Sequence, residues 1–308
     1  MFYFNQYEYR GHEFTEIGNG DMKVTFSSLG ASIYKLMYCG EMMTLTPSSY
    51  DDFFKFDCFY GKTIGPFVNR IYDGIIEGNG IKLTFPLNEP TASLHGGPYG
   101  FSTQNFTSKL YLEQDFARID YHLQTKDTLD LVVSYFVYKD KLDIKYYAVA
   151  LNKTVCSLTN HIYFNLGTTR LKDLSLEIKA HQYVVTDVAL IPTELVDIDP
   201  KYDFNEMRPL ERVIFDNSFK LDDHIIKLQS DKYQVLIDTN YEYAQVYTDN
   251  YIDNVHVLSS EKKNHRSLSI EPEDNLLNRK ILNKGERYER FISYQFSKVE
   301  PKQEEKAE

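Results

Sequence analysis

The stretch LVVSYFVYKDKLDIKYYAVAL, residues 131–151, decides the fold class of this chain. Its first half, residues 131–138, consists mainly of β-branched and aromatic residues, which favour strands. Its second half, residues 142–151, alternates apolar and polar side chains with the period of two that a half-buried strand shows. The short connection at residues 138–141 is typical of a hairpin. The stretch therefore predicts two neighbouring antiparallel strands.

Strand signals of the same kind occur along the rest of the chain. An Asn-Gly pair, Asn79 and Gly80, separates two apolar runs within residues 75–83, and such a pair is the strongest short-range signal for a hairpin. One short helix is expected around residues 48–54. Because the connections are too short and too polar for repeated crossover helices, we expect an all-β fold, a large antiparallel β-sandwich. Further strand candidates lie at residues 233–237, 245–247, 255–258, 267–270 and 290–296.

Length and composition point to a single domain. The chain has 308 residues, of which 42% are hydrophobic, and this is enough for a sizeable core. It contains 25 Tyr and 20 Phe, and tyrosine combines an apolar ring with a polar tip that suits a wet cleft. No repeat or linker divides the sequence. We therefore expect one β-sandwich domain over residues 1–297, followed by a disordered polar tail at residues 298–308.

The net charge narrows the class of partners. A formal charge of −11 argues against nucleic acid and suits a neutral small molecule better than an anionic one. The three cysteines, Cys39, Cys58 and Cys156, show no metal-binding spacing and are expected to be reduced thiols of a cytoplasmic protein. The N-terminus does not resemble a signal peptide, and no apolar run is long enough for a membrane span.

The segment LTNHIYFNL, residues 158–166, contains the first candidate for chemistry. In a strand, His161, Tyr163 and Asn165 share one face, while Ile162 and Phe164 share the other. A row of polar side chains on a buried strand is costly unless that face lines a cleft. The alternative is a core histidine that hydrogen-bonds to a neighbour.

The segment SLSIEPEDN, residues 267–275, contains the second candidate. Glu271 follows a short alternating run and precedes Pro272, which cannot donate to a sheet and is expected to end the strand. A carboxylate at that point is well placed in a pocket, while Glu273 is expected to be a solvated loop charge. The alternative for Glu271 is a surface position. A histidine that faces this glutamate would form a general acid and general base pair.

Two further segments offer groups suited to a sugar. His95 lies in LHGGPYGF, residues 94–101, where the glycines allow the backbone to approach a ligand closely. Asn69 and Arg70 carry several hydrogen-bond donors suited to hydroxyl groups. The alternatives are a turn residue for His95 and a surface ion pair for Arg70. The sequence shows no metal-binding histidine spacing and no nucleophile motif, so we expect neither a metal nor a cofactor.

Seven segments, in this order, resemble the aldose 1-epimerase (galactose mutarotase) family over roughly residues 10–297. Each segment is a weak signal by itself, but seven in the right order are strong. They are VNRIYDG (68–74), LHGGPYGF (94–101), LTNHIYFNL (158–166), ALIPTELVDIDPKYDFN (189–205), LDDHIIKL (221–228), AQVYT (244–248) and IEPEDN (270–275).

The resemblance implies a β-sandwich of the kind called a supersandwich, with its site in a cleft on one sheet. It implies that His161 is the general acid and Glu271 the general base. It also implies that one aspartate of the pair Asp222 and Asp223 contacts the substrate. The positions of the apolar residues in that segment favour Asp223. The other implied substrate contacts are Asn69, Arg70, His95, Tyr163 and Gln245. The reaction needs a charged His161, so a nearby carboxylate such as Asp223 is expected to raise its pKa.

The activity implied is interconversion of the α and β anomers of a free aldohexose such as galactose or glucose, by a monomer or homodimer. Two departures affect the rim of the site: Pro-Glu-Asp-Asn follows Glu271 in place of a Thr-Gln-rich stretch, and a Trp is missing after the His-Gly-Gly loop. The identity of the sugar therefore stays open. The alternatives are an epimerase of a hexose 6-phosphate, which would need a cluster of Lys or Arg, and a non-catalytic carbohydrate-binding protein.

Overall fold

The fold consists almost entirely of antiparallel strands. The computed structural model describes residues 1–55, 58–78, 80–211, 213–251, 255–258 and 264–300. A five-stranded N-terminal sheet has the order of its sequence. Its strands are β1 (Tyr3–Tyr9), β2 (His12–Gly18), β3 (Met22–Ser27), β4 (Ser32–Tyr38) and β5 (Glu41–Met42).

Short strands and helical turns follow the N-terminal sheet. Helix α1 (Tyr50–Phe53) begins after Ser49, whose side chain accepts a hydrogen bond from the backbone N–H of Asp52, so the predicted helix at residues 48–54 is confirmed. Four 3-10 turns lie at Gly97–Tyr99, Phe101–Thr103, Leu171–Asp173 and Pro200–Tyr202. No described helix is long and apolar enough to cross a membrane. The short strands are β6 (Thr63–Ile64), β7 (Arg70–Tyr72), β8 (Ile75–Gly78), β9 (Ile81–Thr84) and β10 (Ala92–Leu94).

The rest of the chain forms one sheet of 13 strands together with three short strands outside it. Along the sheet the order is β11, β12, β13, β14, β26, β22, β21, β23, β24 and β17, and β18 joins β21 to β19 and β20. The strands are β11 (Thr107–Leu112), β12 (Ala117–Gln124), β13 (Leu129–Val137), β14 (Lys141–Ala150), β15 (Thr154–Val155), β16 (Thr159–Asn160), β17 (Tyr163–Phe164), β18 (Ser175–Thr186), β19 (Pro192–Asp197), β20 (Arg208–Pro209), β21 (Asp216–Gln229), β22 (Tyr233–Thr239), β23 (Tyr243–Tyr247), β24 (Leu268–Glu273), β25 (Ile281–Leu282) and β26 (Arg287–Lys298).

The two large sheets enclose one hydrophobic core, which makes the fold a β-sandwich. Phe26 and Leu36 of the N-terminal sheet belong to the same buried cluster as Leu131, Val133 and Ile144 of the large sheet. Every second side chain of β13 is buried, as the period of two predicts. Burial of each such side chain contributes on the order of 1.5–3 kcal/mol, so this alternation fixes the face that β13 turns inward. The predicted hairpin of residues 131–151 is confirmed as β13 and β14.

Most of the other predicted strands are also confirmed. Residues 233–237, 245–247 and 290–296 lie in β22, β23 and β26, and the predicted strand at residues 267–270 is confirmed from Leu268 onward as part of β24. Strands β8 and β9 pair as predicted, although Asn79 of the predicted turn lies outside the described residues. The predicted strand at residues 255–258 is wrong, because this stretch makes only an isolated bridge from Val257 to Pro47. Residues 301–308 of the predicted tail also lie outside the described residues.

Two predictions about strand continuity are corrected. The single strand expected through His161 is divided into β16 and β17, with His161 in the gap between them. Pro272 does not end β24, which continues to Glu273 with Pro272 opposite Ala244 of β23. On its other side β24 pairs with β17 only at Leu268 and Ser269. In the described part of the chain, Pro272 therefore has a strand neighbour on one side only, and a proline is tolerated there.

Candidate active site

An open cleft lies on the large sheet, at the end where β21, β23, β24 and β17 are neighbours. Seven of the eight residues predicted for the site line the cleft: Asn69, Arg70, His95, His161, Tyr163, Gln245 and Glu271. Residues that are far apart in the sequence therefore meet in one cavity.

Strand register explains how the sheet assembles this surface. Ser218 of β21 lies opposite Gln245 of β23, and Gln245 lies opposite Glu271 of β24. Directly opposite residues on neighbouring strands point to the same face, so these side chains form a polar row across the sheet. In the next row, Tyr163 of β17 lies opposite Ser269 of β24. The cleft therefore has a floor built on rigid strands.

His161 and Glu271 are in direct contact at this floor. The Nε2 atom of His161 lies 3.3 Å from Oε1 of Glu271, and both side chains are less than a tenth exposed. Ser269 supports the pair, because its hydroxyl donates to Glu271 Oε1 at 3.1 Å and lies 3.3 Å from Nδ1 of His161. The separation of 3.3 Å is slightly longer than the roughly 2.6–3.2 Å of a proton-transfer hydrogen bond, and such contacts often shorten when substrate binds.

Burial controls the protonation of this pair. It lowers the pKa of His161 to about 3, because no water stabilises the imidazolium. Burial also raises the pKa of Glu271 well above its ordinary value, and the negative charge of Glu273 adds to that effect. The expectation that a carboxylate raises the pKa of His161 is therefore wrong: loss of water dominates. Both shifts favour a neutral imidazole at His161 and a protonated carboxyl group at Glu271.

Aromatic rings fix the orientation of the His161 imidazole. The ring of His161 lies between Phe59, with centroids 5.7 Å apart, and Tyr163, with centroids 4.9 Å apart, and both contacts are stacked. Tyr60 stacks in turn on Tyr163 at 4.5 Å. These rings remove water from both faces of His161, which explains the direction of its pKa shift.

The loops that carry His95 and Asn69 hold a conformation that is unusual for residues with side chains. Asn69 has φ of 59° and His95 has φ of 55°, both in the left-handed region. Beside them, Gly96 has φ of 90°, and a Cβ at Gly96 would lie 2.1 Å from the backbone oxygen of Gly65. The two loops therefore pack too closely for any other residue at position 96.

Hydrogen bonds connect these loops to the sheet. The backbone N–H of Asn69 donates to Nδ1 of His95 at 3.2 Å, and the Asn69 side-chain amide donates to Gln245 Oε1 at 3.2 Å. Burial lowers the pKa of His95 well below its ordinary value, so the ring is neutral. Because Nδ1 accepts, Nε2 carries the hydrogen and is a donor available to a ligand.

Asp223 is not in the cleft, and this prediction is corrected. Asp223 lies on an exposed part of β21, and its neighbour Asp222 contacts His181. The aspartate that lines the cleft is Asp216, at the start of the same strand, where it accepts a hydrogen bond from Gln245 Nε2 at 2.8 Å. The signal was available in FDNSF, residues 215–219: Asp216 and Ser218 lie on the strand face opposite Phe219.

Glu273 also differs from its prediction as a solvated charge. It is 1% exposed and accepts a hydrogen bond from the hydroxyl of Ser218. Burial raises its pKa to about 7, although Ser218 and the charge of Arg279 act in the opposite direction. Asn165, which shares the polar face predicted for its segment, is buried but does not line the cleft.

One arrangement in the cleft is also compatible with a metal ion. Ligand atoms of His95, His161 and Glu271 lie within 4.8 Å of one another. Imidazole nitrogen and carboxylate oxygen are both common ligands of zinc and similar ions. The sequence predicts no metal, and this stays a prediction.

Comparisons with known proteins agree with the fold. The sequence profile described as aldose 1-epimerase matches residues 13–295. The chain is similar to galactose mutarotase from Homo sapiens, with 30% identity over 164 residues that cover 51% of this chain and 45% of that protein. It is also similar to bifunctional protein gal10 from Schizosaccharomyces pombe, with 31% identity over 166 residues that cover 48% of this chain and 23% of that protein. The matched regions thus span less than half the length of these relatives.

Solved structures show the same fold over nearly the whole chain. The galactose 1-epimerase from Lactobacillus acidophilus NCFM superimposes with a TM-score of 0.88 and 23% identity, covering 97% of this chain and 99% of that one. A GalM/aldose epimerase homologue from C. elegans superimposes with a TM-score of 0.81 and 22% identity, covering 97% of this chain and 100% of that one.

Fold and cleft together define a galactose mutarotase-like β-sandwich. The profile match extends over most of the sequence, from residue 13 to residue 295. The chain belongs to the aldose 1-epimerase family.

Proposed function

We propose that this protein is an aldose 1-epimerase, an isomerase that interconverts the α and β anomers of a free aldohexose such as galactose or glucose. The observation that carries the proposal is the buried contact of 3.3 Å between His161 Nε2 and Glu271 Oε1 on the floor of the cleft. A histidine and a carboxylate that share one proton can act together as general acid and general base. Membership of the family and the similarity to galactose mutarotases support the same chemistry.

In the proposed reaction, Glu271 accepts the proton of the anomeric hydroxyl while His161 donates a proton to the ring oxygen O5. The C1–O5 bond breaks, and the electron pair of the O1–H bond becomes the second bond of the open-chain aldehyde. Rotation about C1–C2 presents the other face of the carbonyl to O5. The two proton transfers then run in reverse, without redox change or group transfer, so the reaction requires no cofactor.

The pair must hold one proton for this reaction. The low pKa of His161 and the raised pKa of Glu271 favour the form in which Glu271 carries it. Transfer across the 3.3 Å contact produces the imidazolium and the carboxylate that the reaction uses. Sugar hydroxyls that hydrogen-bond to these two ions favour the charged forms, so we infer that the substrate itself promotes the transfer.

The pH dependence of kcat/KM tests whether the His161–Glu271 pair holds one proton. Activity falls where the pair gains a second proton, which enters His161 with a pKa of about 3, and where it loses the last proton, which leaves Glu271 well above pH 4.5. If Glu271 and His161 had ordinary pKa values, activity would instead be confined to the pH range between about 4.3 and 6.5. By polarimetry, we expect kcat/KM at about pH 4 to equal that at about pH 6. A value of kcat/KM at pH 4 that is half of the value at pH 6 or less would contradict this assignment of the proton.

Polarimetry also tests the function itself. Freshly dissolved α-D-glucose and α-D-galactose are followed with and without protein, in the presence of EDTA so that no loosely bound metal contributes. We expect the rotation to reach equilibrium faster, with a rate that increases in proportion to the protein concentration. An unchanged rate across a panel of aldoses would exclude the catalytic proposal and leave a carbohydrate-binding role. A cytoplasmic location and a monomeric or homodimeric state stay predictions.

A further inference from the structure

The cleft contains one arginine, and that arginine already has a partner. Arg70 donates from Nε to Glu89 Oε2 at 2.7 Å and from Nη2 to Glu89 Oε1 at 2.9 Å. Two parallel hydrogen bonds between a guanidinium and a carboxylate form the strongest kind of ion pair found on proteins. The side chains are only 13% and 28% exposed, so salt screens this pair less than a surface pair.

Glu89 is held in position by its own loop. Its backbone N–H donates to the oxygen of Ala92 at 3.1 Å. The preceding residue, Asn88, accepts from the N–H of Leu94 at 2.7 Å and donates to the oxygen of Leu94 at 3.1 Å. The carboxylate therefore meets Arg70 from a fixed loop, and less side-chain entropy is lost in forming the pair than between two mobile residues.

The described lining of the cleft carries little positive charge. Among the described residues that line it, Arg70 is the only arginine or lysine, whereas Asp216 and Glu271 both carry carboxyl groups. Arg279 lies behind the lining, and its guanidinium donates to the backbone oxygens of Val68 and Arg70. An anionic ligand would thus meet two carboxyl groups and a cation whose charge Glu89 already compensates.

Burial and the charge of Glu89 have opposite effects on the pKa of Arg70. Burial alone would lower the pKa of Arg70, but the hydrogen bonds and the charge of Glu89 outweigh it and raise the pKa. The guanidinium is therefore charged, and Glu89 is its main partner. Asp216 also faces Arg70, and burial raises the pKa of Asp216 while Arg70 lowers it.

The ion pair lies near the mouth of the cleft. The side chains of Arg70 and Glu89 are 13% and 28% exposed, whereas those of His161 and Glu271 on the floor are 7% and 4% exposed. In a pyranose whose O1 and O5 contact the floor, C6 is bonded to C5, the carbon next to O5, so a charge carried at C6 lies in the cleft that Arg70 lines. Such a charge interacts with the Arg70–Glu89 pair through space.

We propose that Glu89 is a specificity-determining residue that restricts this cleft to neutral aldoses, because it neutralises Arg70 and so excludes sugars with a phosphate or carboxylate at C6. The inference rests on the proposed function, since it concerns the choice among aldoses at the same site. It also explains why the described lining of the cleft contains two carboxyl groups, those of Asp216 and Glu271, but only one arginine, Arg70.

The test compares kcat/KM for D-glucose, D-glucuronate and D-glucose 6-phosphate by exchange NMR, with the spontaneous rate of each sugar subtracted. The variants are Glu89→Gln, Glu89→Asp and Glu16→Gln. Glu16 pairs with Lys23 on the N-terminal sheet, so its replacement makes the same charge change away from the cleft. Removing the negative charge that compensates Arg70 is expected to raise the ratio of anionic to neutral turnover by about tenfold in Glu89→Gln.

Glu89→Asp keeps the charge and is expected to keep the wild-type ratio, as is Glu16→Gln. An unchanged ratio in Glu89→Gln, or an equal rise in Glu16→Gln, would overturn the inference. If Glu89→Gln loses turnover, dissociation constants for D-glucose and D-glucuronate from ligand-observed NMR supply the same ratio. Failure of the proposed function would give a different result: the wild-type protein would not accelerate the anomerisation of D-glucose at all.

Discussion

Replacing Glu271 by Gln is expected to lower kcat for D-glucose by about 10²–10⁴-fold, the contribution that a positioned acid or base makes to a rate. Gln has nearly the same volume as Glu and can still accept the hydrogen bond that the Ser269 hydroxyl donates at 3.1 Å. It cannot take the proton of the anomeric hydroxyl. The rate of anomer exchange, measured by NMR at several protein concentrations, gives the comparison.

Two further measurements make this result specific. The dissociation constant for D-glucose should change far less than kcat, because the other groups of the cleft remain. The variant Glu16→Gln makes the same chemical change at a partly exposed carboxylate on the N-terminal sheet and should have wild-type activity. A Glu271→Gln protein with full activity would remove Glu271 from the mechanism.

Replacing Asp249 by Asn is expected to lower the free energy of unfolding by about 3–5 kcal/mol, because it removes one partner of a buried ion pair. The side chains of Asp249 and Arg266 are 3% and 1% exposed, with N–O distances of 2.7 and 3.0 Å. Asp249 has φ of 51°, a conformation that Asn tolerates well, so the substitution tests the charge and not the backbone. Without that carboxylate, the guanidinium of Arg266 keeps its charge in a site that water cannot reach.

Urea unfolding, extrapolated linearly to water, measures this loss. The matched control is Asp130→Asn, which breaks an exposed pair with His122 whose side chains are 43% and 48% exposed, and it should stay within about 0.5 kcal/mol of wild type. Arg266 also contacts the hydroxyl of Tyr60, which stacks on Tyr163 beside His161. An Asp249→Asn protein as stable as the control would show that the ion pair does not stabilise the fold.

The strands were predictable from sequence because their signals are local. Residues 131–151 carry a period of two over two strands, and each strand buries every second side chain in one core. Pro272 shows the limit of such reasoning. Whether a proline ends a strand depends on which neighbours the strand has at that point, and pairing across the sheet is not visible in the segment itself.

The residues of the cleft were largely predictable, but their charge states were not. Choosing between Asp216 and Asp223 requires knowing which end of β21 lies beside Gln245, and this depends on register. The pKa of His161 requires knowing that Phe59 and Tyr163 cover its ring. The partner of Arg70, Glu89, lies 19 residues along the chain in a loop without any motif.

A crystal structure of the protein with D-galactose or D-glucose bound tests the central claim most directly. We expect the pyranose in the cleft with O5 at hydrogen-bond distance from Nε2 of His161 and O1 at the same distance from the Glu271 carboxylate, about 2.6–3.2 Å in each case. A sugar bound with C1 turned away from both side chains, or bound outside this cleft, would contradict the claim that His161 and Glu271 act together on one aldose.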